Sequence, residues 1–329
     1  MKILEPNINS IFKINSEEEF NKKALEIFRF QAKNNIIYKE FISLLSLNAD
    51  NVKKVEEIPY LPIFFFKSKK VVIHNSHQKI FKSSGTTGQV RSQHFVYSLQ
   101  MYIDSFVNGI NHFYSNFQDY TILALLPSYL EQGDSSLVYM VDYLINETKE
   151  KHSSFYLNNH EDLSIKIDEL EQKNKKFILF GVSYALLDFK DKFPKNLESG
   201  IVMETGGMKG RRKEVTKKEL HQELKNGFGT EEIHSEYGMT ELLSQAYSLK
   251  KGIYKCPPWM KVLLRNTTDP FQISSNPSKG LINIIDLANI YSCSFIATDD
   301  IGKIENKNEF LVLGRFDASE VRGCNLMVD

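Results

Sequence analysis

The 329-residue sequence has no excess of either charge: Lys plus Arg and Asp plus Glu both number 41. A balanced surface does little to attract a polyanion, so neither nucleic acid nor an anionic membrane surface is an expected partner. Long apolar runs are also lacking. None is long enough to span a bilayer, which argues against membrane insertion. The N-terminal MKILEPNINSIFKINSEEEF has no sustained apolar core before its acidic cluster, unlike a secretory signal. Cysteine is scarce, with Cys256, Cys293 and Cys324 the only three. An odd, sparse count suits a reducing cytoplasm without a disulfide framework. No two cysteines have Cys-x-x-Cys spacing and the eight histidines form no paired metal spacing, which disfavours a structural zinc site. Internal repeats and low-complexity segments are absent. So is a Gly-x-Ser-x-Gly elbow around Ser128, which disfavours a serine hydrolase.

What is present reads as alternating strands and helices. Ser16-Glu17-Glu18-Glu19 is a capping box, and Phe20, Ala24, Phe28, Ile36, Ile37, Phe41 and Leu44 follow helical spacing, so the chain to about residue 57 is expected to be helical. IPYLPIFFFKSKKVVI then reads as extended. HFVYS (94–98), TILALLP (121–127), KFILFG (176–181), IVMETGG (201–207) and the start of EEIHSEYGMTE (231–241) read as strands, several apolar throughout, as strands buried on both faces are. Ile103, Phe106, Ile110 and Phe113 mark one helix face, and SLVYMVDYLIN (136–146) and TKKELHQELKNGFG (216–229) read as further helices. The alternation predicts an α/β fold with at least partly parallel strands. Beyond Pro257, KVLLR, GLINIIDL and EFLVLG predict a β-rich part that completes the chain. We expect an N-terminal helical region, 1–75, packed on a main domain, 76–329, that ends in a short tail.

KSSGTTGQVRSQH, Lys82 to His94, packs hydroxyls and glycines together without a Walker-type lysine. Ser83, Ser84, Gly85, Thr86, Thr87 and Gly88 offer backbone N–H groups and rotatable hydroxyls that can wrap a polyphosphate, and Arg91 adds a charge for phosphate oxygens. Taken alone, the stretch is equally an ordinary surface loop. Ligands favour the ends of open parallel strands, and other strand ends carry polar clusters too. One is Glu204-Thr205-Gly206-Gly207, whose glycines permit close backbone approach. Another is Tyr237-Gly238-Met239-Thr240-Glu241, with an aromatic face for a base, a hydroxyl for phosphate and a carboxylate for Mg²⁺. Thr298-Asp299-Asp300-Ile301-Gly302 is expected just before a strand, and Gly314-Arg315-Phe316-Asp317 just after one. Each alone is also turn chemistry.

In this order the five clusters resemble the motifs of the adenylate-forming superfamily of CoA synthetases, luciferases and peptide-synthetase adenylation domains. ETGGMKGRRKEVTKKEL, CPPWMKVLLRN and GRFDASEVRGCNLMV narrow the resemblance, from about Leu61 onward, to the acyl-protein synthetase (LuxE) family. The resemblance implies the adenylate-forming large-domain fold and an ATP-dependent enzyme. It further implies that a carboxylate, such as a fatty acid, reacts with Mg-ATP to give acyl-AMP and pyrophosphate, and that the acyl group then passes to a protein cysteine for delivery to an acyl reductase. It puts the Ser83–Gly88 loop on the ATP phosphates, with Arg91 where the superfamily pattern usually has a lysine. Gly206 and Gly207 would lie along the nucleotide, Tyr237 and Gly238 at adenine, Thr240 at phosphate and Glu241 at Mg²⁺. Asp300 would hold the ribose, Arg315 would lie near it, and Asp317 would mark the usual hinge.

Superfamily members typically continue for roughly a hundred residues past this point, carrying a lysine that stabilises the adenylation transition state. This sequence stops twelve residues after Asp317, so the mobile domain is expected to be lacking, as in acyl-protein synthetases. Lys67 is one candidate for that lysine's role, equally a solvated lysine beside an edge strand; Lys209 and Arg211 are others. His94 is read as a strand residue at the edge of the site, with phosphate contact the alternative. Phe64 to Phe66, Tyr129, Phe180 and Tyr184 are candidates for an acyl pocket, or core. The resemblance makes Cys324 the acylated nucleophile, with Arg322 favouring its thiolate; the alternative is a small buried hydrophobe. Two further readings stay open: an acyl-CoA or acyl-carrier ligase, and a non-catalytic adenylate-binding subunit. The sequence does not set the oligomeric state, and a homo-oligomer is compatible with it.

Overall fold

Two helices open the chain, α1 (Glu17–Asn34) and α2 (Ile36–Leu44). Ser16 caps the first by accepting from Glu19 N, while the Glu19 carboxylate accepts from Asn15 N and not from Ser16 N, so only half of the capping box forms. Asn35 divides them: its N–H closes α1 on Gln31 O, and its side chain accepts from Tyr38 N to begin α2. This break rotates the apolar stripe, so Phe20, Ala24, Phe28 and Phe41 are buried while Ile36 and Leu44 are exposed. The computed structural model describes residues 5–84, 90–127, 132–206, 212, 215–267 and 279–316.

Next come β1 (Leu61–Pro62) and a single helical turn, α3 (Phe65–Ser68). The extended reading of this stretch therefore holds only at β1. A strand would send Phe65 and Phe66 to opposite faces. The turn instead buries Phe66 while Phe65 packs against Phe41 and Phe64. A two-stranded antiparallel sheet follows, β2 (Lys79–Lys82) with β3 (Gln93–Val96), then α4 (Leu99–Tyr114).

The central layer starts with β4 (Thr121–Leu125), α5 (Ser136–Glu147), β5 (Ser154–Phe155), α6 (His160–Gln172) and β6 (Phe177–Val182). It continues through α7 (Ser183–Lys192), β7 (Gly200–Thr205), α8 (Lys217–Phe228) and β8 (His234–Tyr237). These five strands are parallel, in the order β8-β7-β6-β4-β5, and every residue of β4 and β6 is buried, as the unbroken apolar runs required. Further strands then carry the sheet onward: β9 (Ala246–Ser248), β10 (Tyr254–Lys255), β11 (Met260–Arg265), β12 (Gly280–Asp286), β13 (Phe295–Asn306) and β14 (Glu309–Arg315). They pair antiparallel in the order β11-β12-β13-β14-β10-β9, and β9 pairs with β8. The β-rich C-terminal stretch is thus the other half of one twelve-stranded sheet. Thr298 to Gly302 lie inside β13 rather than ahead of a strand, because β13 runs on as a long partner for both β12 and β14.

Helices cover both faces of the parallel half. Tyr247 of β9 pairs directly with Glu236 of β8 and meets Phe113 and Tyr114 of α4. Ser235, one residue back along β8, points the other way and meets His221 of α8 at 3.1 Å. The N-terminal helices attach at the far end of the chain: Gln31 Nε2 donates to Asn289 O and Ile290 O, Ser294 N donates to Gln31 Oε1, and β1 pairs parallel with β13.

Candidate active site

One large cavity, about 1380 Å³, opens around the C-terminal ends of β7 and β8. Ligands of open parallel sheets bind in such crevices. Its lining brings together Lys67, Ser83, Ser84, Arg91, Gly206, Tyr237, Gly238, Thr240, Glu241, Asp300 and Arg315, residues spread across most of the sequence. Gly85, Thr86, Thr87, Gly88 and Gly207 lie outside the described residues, as do Lys209, Arg211, Asp317, Arg322 and Cys324.

The turn after β8 is fixed from behind by buried polar groups. Asp286, at the end of β12, accepts from Leu243 N at 2.8 Å, Ser244 N at 2.9 Å and Ser244 Oγ at 2.5 Å. Asn289 Nδ2 donates to Glu241 O at 2.8 Å, and His94 Nδ1 to Thr240 O, also at 2.8 Å. Burial pushes His94 down to about 4, against the hydrogen bonds to Thr240 and Asn289. His94 therefore braces the backbone of the turn and does not face the cavity. With both carbonyls held, the Thr240 and Glu241 side chains line the cavity from a pinned main chain. Glu241 is 4% exposed. Burial raises its pKa, opposed by a Ser92 hydrogen bond and the charges of Arg315 and Lys67.

Tyr237 of β8 donates its hydroxyl to Asp300 Oδ2 of β13 at 2.7 Å, joining the YGMTE and TDDIG clusters in one contact. The Tyr237 ring packs against Tyr254 and edge-on to Phe310. Burial raises the Asp300 carboxyl, and the Tyr237 hydroxyl and the Arg315 charge oppose it. Arg315 is largely exposed at the end of β14, 3.8 Å from Asp299. Its neighbour Phe316 donates its N–H to Asp299 O.

The stem of the Ser-Thr-Gly loop is the β2–β3 pair. Ser83 and Ser92 tie it together through Ser83 N to Ser92 O (3.1 Å) and Ser92 N to Ser83 Oγ (2.9 Å). Arg91 clamps this neck: its guanidinium donates to the Ser83 carbonyl, to Lys82 O and to Asp134. The cation thus already has partners within the protein, and its cavity-facing surface is what remains for an anion. Lys67, in the last turn of α3, meets the cavity within the field of Glu241.

Beneath Gly206 lies a polar cluster not foreseen as a unit from the sequence. Glu204 is fully buried. It is met by Lys217 Nζ at 2.5 Å, Ser183 Oγ at 3.2 Å and His221 Nε2 at 3.4 Å. Burial alone would raise this carboxyl, but Lys217 and the hydrogen bonds of His221 and Ser235 bring it down to about 2. Lys217 opens α8, where Thr216 and Glu219 form a reciprocal capping box. Gly206 has φ +67°, the left-handed region where a side chain is strained, so the glycine lets β7 turn away above this pair.

Of the aromatics read as acyl-pocket candidates or core, Phe66, Phe180 and Tyr184 are core, Phe64 is exposed on the surface, and none of these lines the cavity. Their spacing matches buried packing because strand and helix cores use the same residue types. Tyr129 lies outside the described residues. Cys293 is buried and Cys256 half-buried, and burial pushes both thiols up to about 12, unfavourable to a thiolate. Among the described residues no group of three His, Cys, Asp or Glu side chains forms a metal cage, and no helix is long and apolar enough to cross a membrane.

This arrangement is the large-domain fold of adenylate-forming ligases. The structure is similar to an open conformation of 2-hydroxyisobutyryl-CoA ligase in complex with 2-HIB-AMP and CoA, with TM-score 0.67 and 9% identity over 97% of this chain and 77% of that one. It is also similar to O-succinylbenzoate CoA synthetase (MenE) from Bacillus subtilis in complex with ATP and magnesium, with TM-score 0.51 and 17% identity over 74% of this chain. The match spans about half, 51%, of the MenE chain. Residues 10–329 match the family model of acyl-protein synthetase, LuxE, and the chain belongs to that family. No curated protein sequence matches it significantly.

Proposed function

We propose that this protein activates a carboxylic acid with Mg-ATP to give an acyl-adenylate, then passes the acyl group to a protein cysteine thiol for an acyl reductase. The observation that carries the reading is the Tyr237–Asp300 contact beside Glu241 in one cavity, in a chain of the LuxE family. In the first step a carboxylate oxygen attacks the α-phosphorus of ATP, the bond from that phosphorus to the bridging oxygen breaks, and pyrophosphate leaves. In the second a thiolate attacks the acyl carbon and AMP leaves.

Each residue has a role that fits its chemistry. Tyr237 and Gly238 border the adenine, Asp300 accepts from ribose hydroxyls, and Arg315 lies near the ribose. Gly206 and Gly207 lie along the nucleotide, Thr240 reaches a phosphate oxygen, and Ser83 to Gly88 donate to the β- and γ-phosphates on a neck held by Arg91. Lys67 supplies positive charge to the leaving pyrophosphate. A single buried carboxylate, Glu241, suits Mg²⁺, which binds through one or two carboxylates plus substrate phosphates and keeps several waters. Bound there, Mg²⁺ would neutralise phosphate charge. The Cys324 thiol is the acyl acceptor in this reading, which the unfavourable settings of Cys256 and Cys293 support.

The test is incubation with ATP, Mg²⁺ and labelled carboxylic acid, followed by a denaturing gel and an assay for acyl-AMP. Hydroxylamine-labile label on the protein is the expected result. Acyl-AMP that only CoA or a carrier discharges would make the protein a CoA or carrier ligase. Neither product would leave a non-catalytic adenylate-binding subunit.

A further inference from the structure

The segment of β13 that carries Asp300 leaves the regular ladder. Leu281 of β12 pairs with Ile301 and Asn283 pairs with Ala297, so Ile282 alone stands opposite Thr298, Asp299 and Asp300. Three residues against one make a bulge, which bends the strand and re-aims its side chains. The bulged residues line the cavity, and from there Asp300 meets the Tyr237 hydroxyl. Local contacts tie the bulge down. The Thr298 hydroxyl donates to Ile282 O at 2.8 Å and accepts from Asp300 N at 3.1 Å. On the β14 side, Phe316 N donates to Asp299 O at 2.7 Å.

A further contact comes from two strands away. Arg265 ends β11, the strand at the edge of the sheet, and its side chain reaches past β12 to β13. Its Nη1 donates to Ile282 O at 3.0 Å and to Asn283 Oδ1 at 2.8 Å, and its Nη2 donates to Thr298 O at 2.6 Å. The guanidinium thus bridges the single residue on β12 and the first bulged residue on β13. Arg265 is 6% exposed and is not part of the cavity lining. Among the described residues its hydrogen-bond partners are all uncharged oxygens. Burial pulls Arg265 down to about 10, with the Asp299 charge opposing. A buried cation bonded to neutral groups is costly to desolvate, so its place here needs a reason beyond packing. The planar fork supplies one: two nitrogens address carbonyls on two strands at once, which the single ammonium of a lysine does not match. We propose that Arg265 is a positioning residue for nucleotide recognition, its guanidinium holding the β13 bulge in the shape that presents Asp300 to the ribose hydroxyls. The inference rests on the reading above that Asp300 binds the ribose.

The test compares ATP with dideoxy-ATP, which lacks both ribose hydroxyls. Binding of each to the full chain in the presence of Mg²⁺ is measured by calorimetry for the wild type, Arg265→Lys, Arg265→Met and Asp300→Ala. Circular dichroism reports whether each variant folds. We expect the wild type to prefer ATP by roughly tenfold or more, as hydrogen bonds to a charged group allow. Asp300→Ala should lose that preference. Arg265→Lys and Arg265→Met should lose most of it too, through weaker ATP binding, with dideoxy-ATP binding nearly unchanged. A purely structural arginine would weaken both nucleotides together and leave their ratio in place. A wild-type ratio in both Arg265 variants while Asp300→Ala loses it, or loss of the fold in both, overturns the inference and leaves the ribose reading standing. A wild type without preference, or a preference that Asp300→Ala retains, overturns the ribose reading and the inference with it.

Discussion

Replacing Lys217 with methionine isolates the energetic role of the buried pair beneath Gly206. Glu204 is fully buried, and among the described residues Lys217 pairs with it, at 2.5 Å. Removing one partner of a buried pair leaves an uncompensated charge and costs about 3–5 kcal/mol, whereas replacing both with neutral groups of similar shape is near neutral. Burial raises the Glu204 carboxyl, but the Lys217 charge and the hydrogen bonds outweigh it and hold the group at about 2, below its usual 4.5. Lys217→Met should therefore lower the unfolding free energy by roughly 3–4 kcal/mol, and Tm by about 5 °C, while Glu204→Gln/Lys217→Met should recover most of the loss. Because the folded pKa is depressed, the stabilisation is present above the unfolded value near 4.5 and is lost as pH falls from there towards 2. Denaturant unfolding of wild type and both variants between pH 7 and 3 measures all of this. A double variant as unstable as Lys217→Met, or a Lys217→Met penalty under about 1 kcal/mol at pH 7, would refute the reasoning.

Tyr237→Phe removes the donor to Asp300 Oδ2. A hydrogen bond to a charged group is worth about 1.5–3 kcal/mol, so ATP affinity should fall roughly tenfold or more in a nucleotide-binding titration while carboxylic-acid binding stays unchanged. Glu241→Gln should require more Mg²⁺ for half-maximal pyrophosphate exchange, since a neutral amide is a poorer ligand for a hard cation; an unmoved Mg²⁺ titration counts against its role. Cys324→Ser should still form acyl-AMP but lose the hydroxylamine-labile acyl label, whereas Cys256→Ser and Cys293→Ser should keep it; label retained in the Cys324 variant defeats the assignment. Gln245→Met should stabilise the unliganded protein by about 1 kcal/mol in thermal unfolding, because it removes a buried acceptor that has no partner among the described residues.

Much of the candidate site is legible in the sequence because its residues come as short clusters at strand ends, and β4 and β6 have apolar runs that read as buried strands. The Tyr237–Asp300 contact is the physical form of a motif order that sequence alone could only align. Other features were not legible because they depend on pairings between distant residues. Asp286 looks like an ordinary acid after an apolar strand until β12 brings it under Leu243 and Ser244. Lys217 looks like one of several helix lysines until the β7–α8 geometry sets it on Glu204. Arg91 read as a free cation beside a loop, and only the Asp134 contact shows it clamping that loop's neck. The FFFKSKK helical turn was hidden because three successive phenylalanines carry no period.

The buried polar groups around the β8 turn cost more to bury than apolar residues would, so their arrangement needs a physical reason. Asp286 is desolvated, which raises its pKa, yet four hydrogen bonds from Ser244 Oγ, Leu243 N, Ser244 N and Ala288 N offset that cost. His94 and Asn289 each donate to one carbonyl of the turn they support. These contacts fix backbone atoms and leave the Thr240 and Glu241 side chains directed at the cavity. A site that stabilises developing charge benefits from groups that need not reorganise during the reaction, and a turn pinned at both carbonyls meets that condition better than a loop held by its side chains. The same strand that carries the turn alternates its side chains, so consecutive residues, Glu236 and Tyr237, serve opposite faces of one cavity.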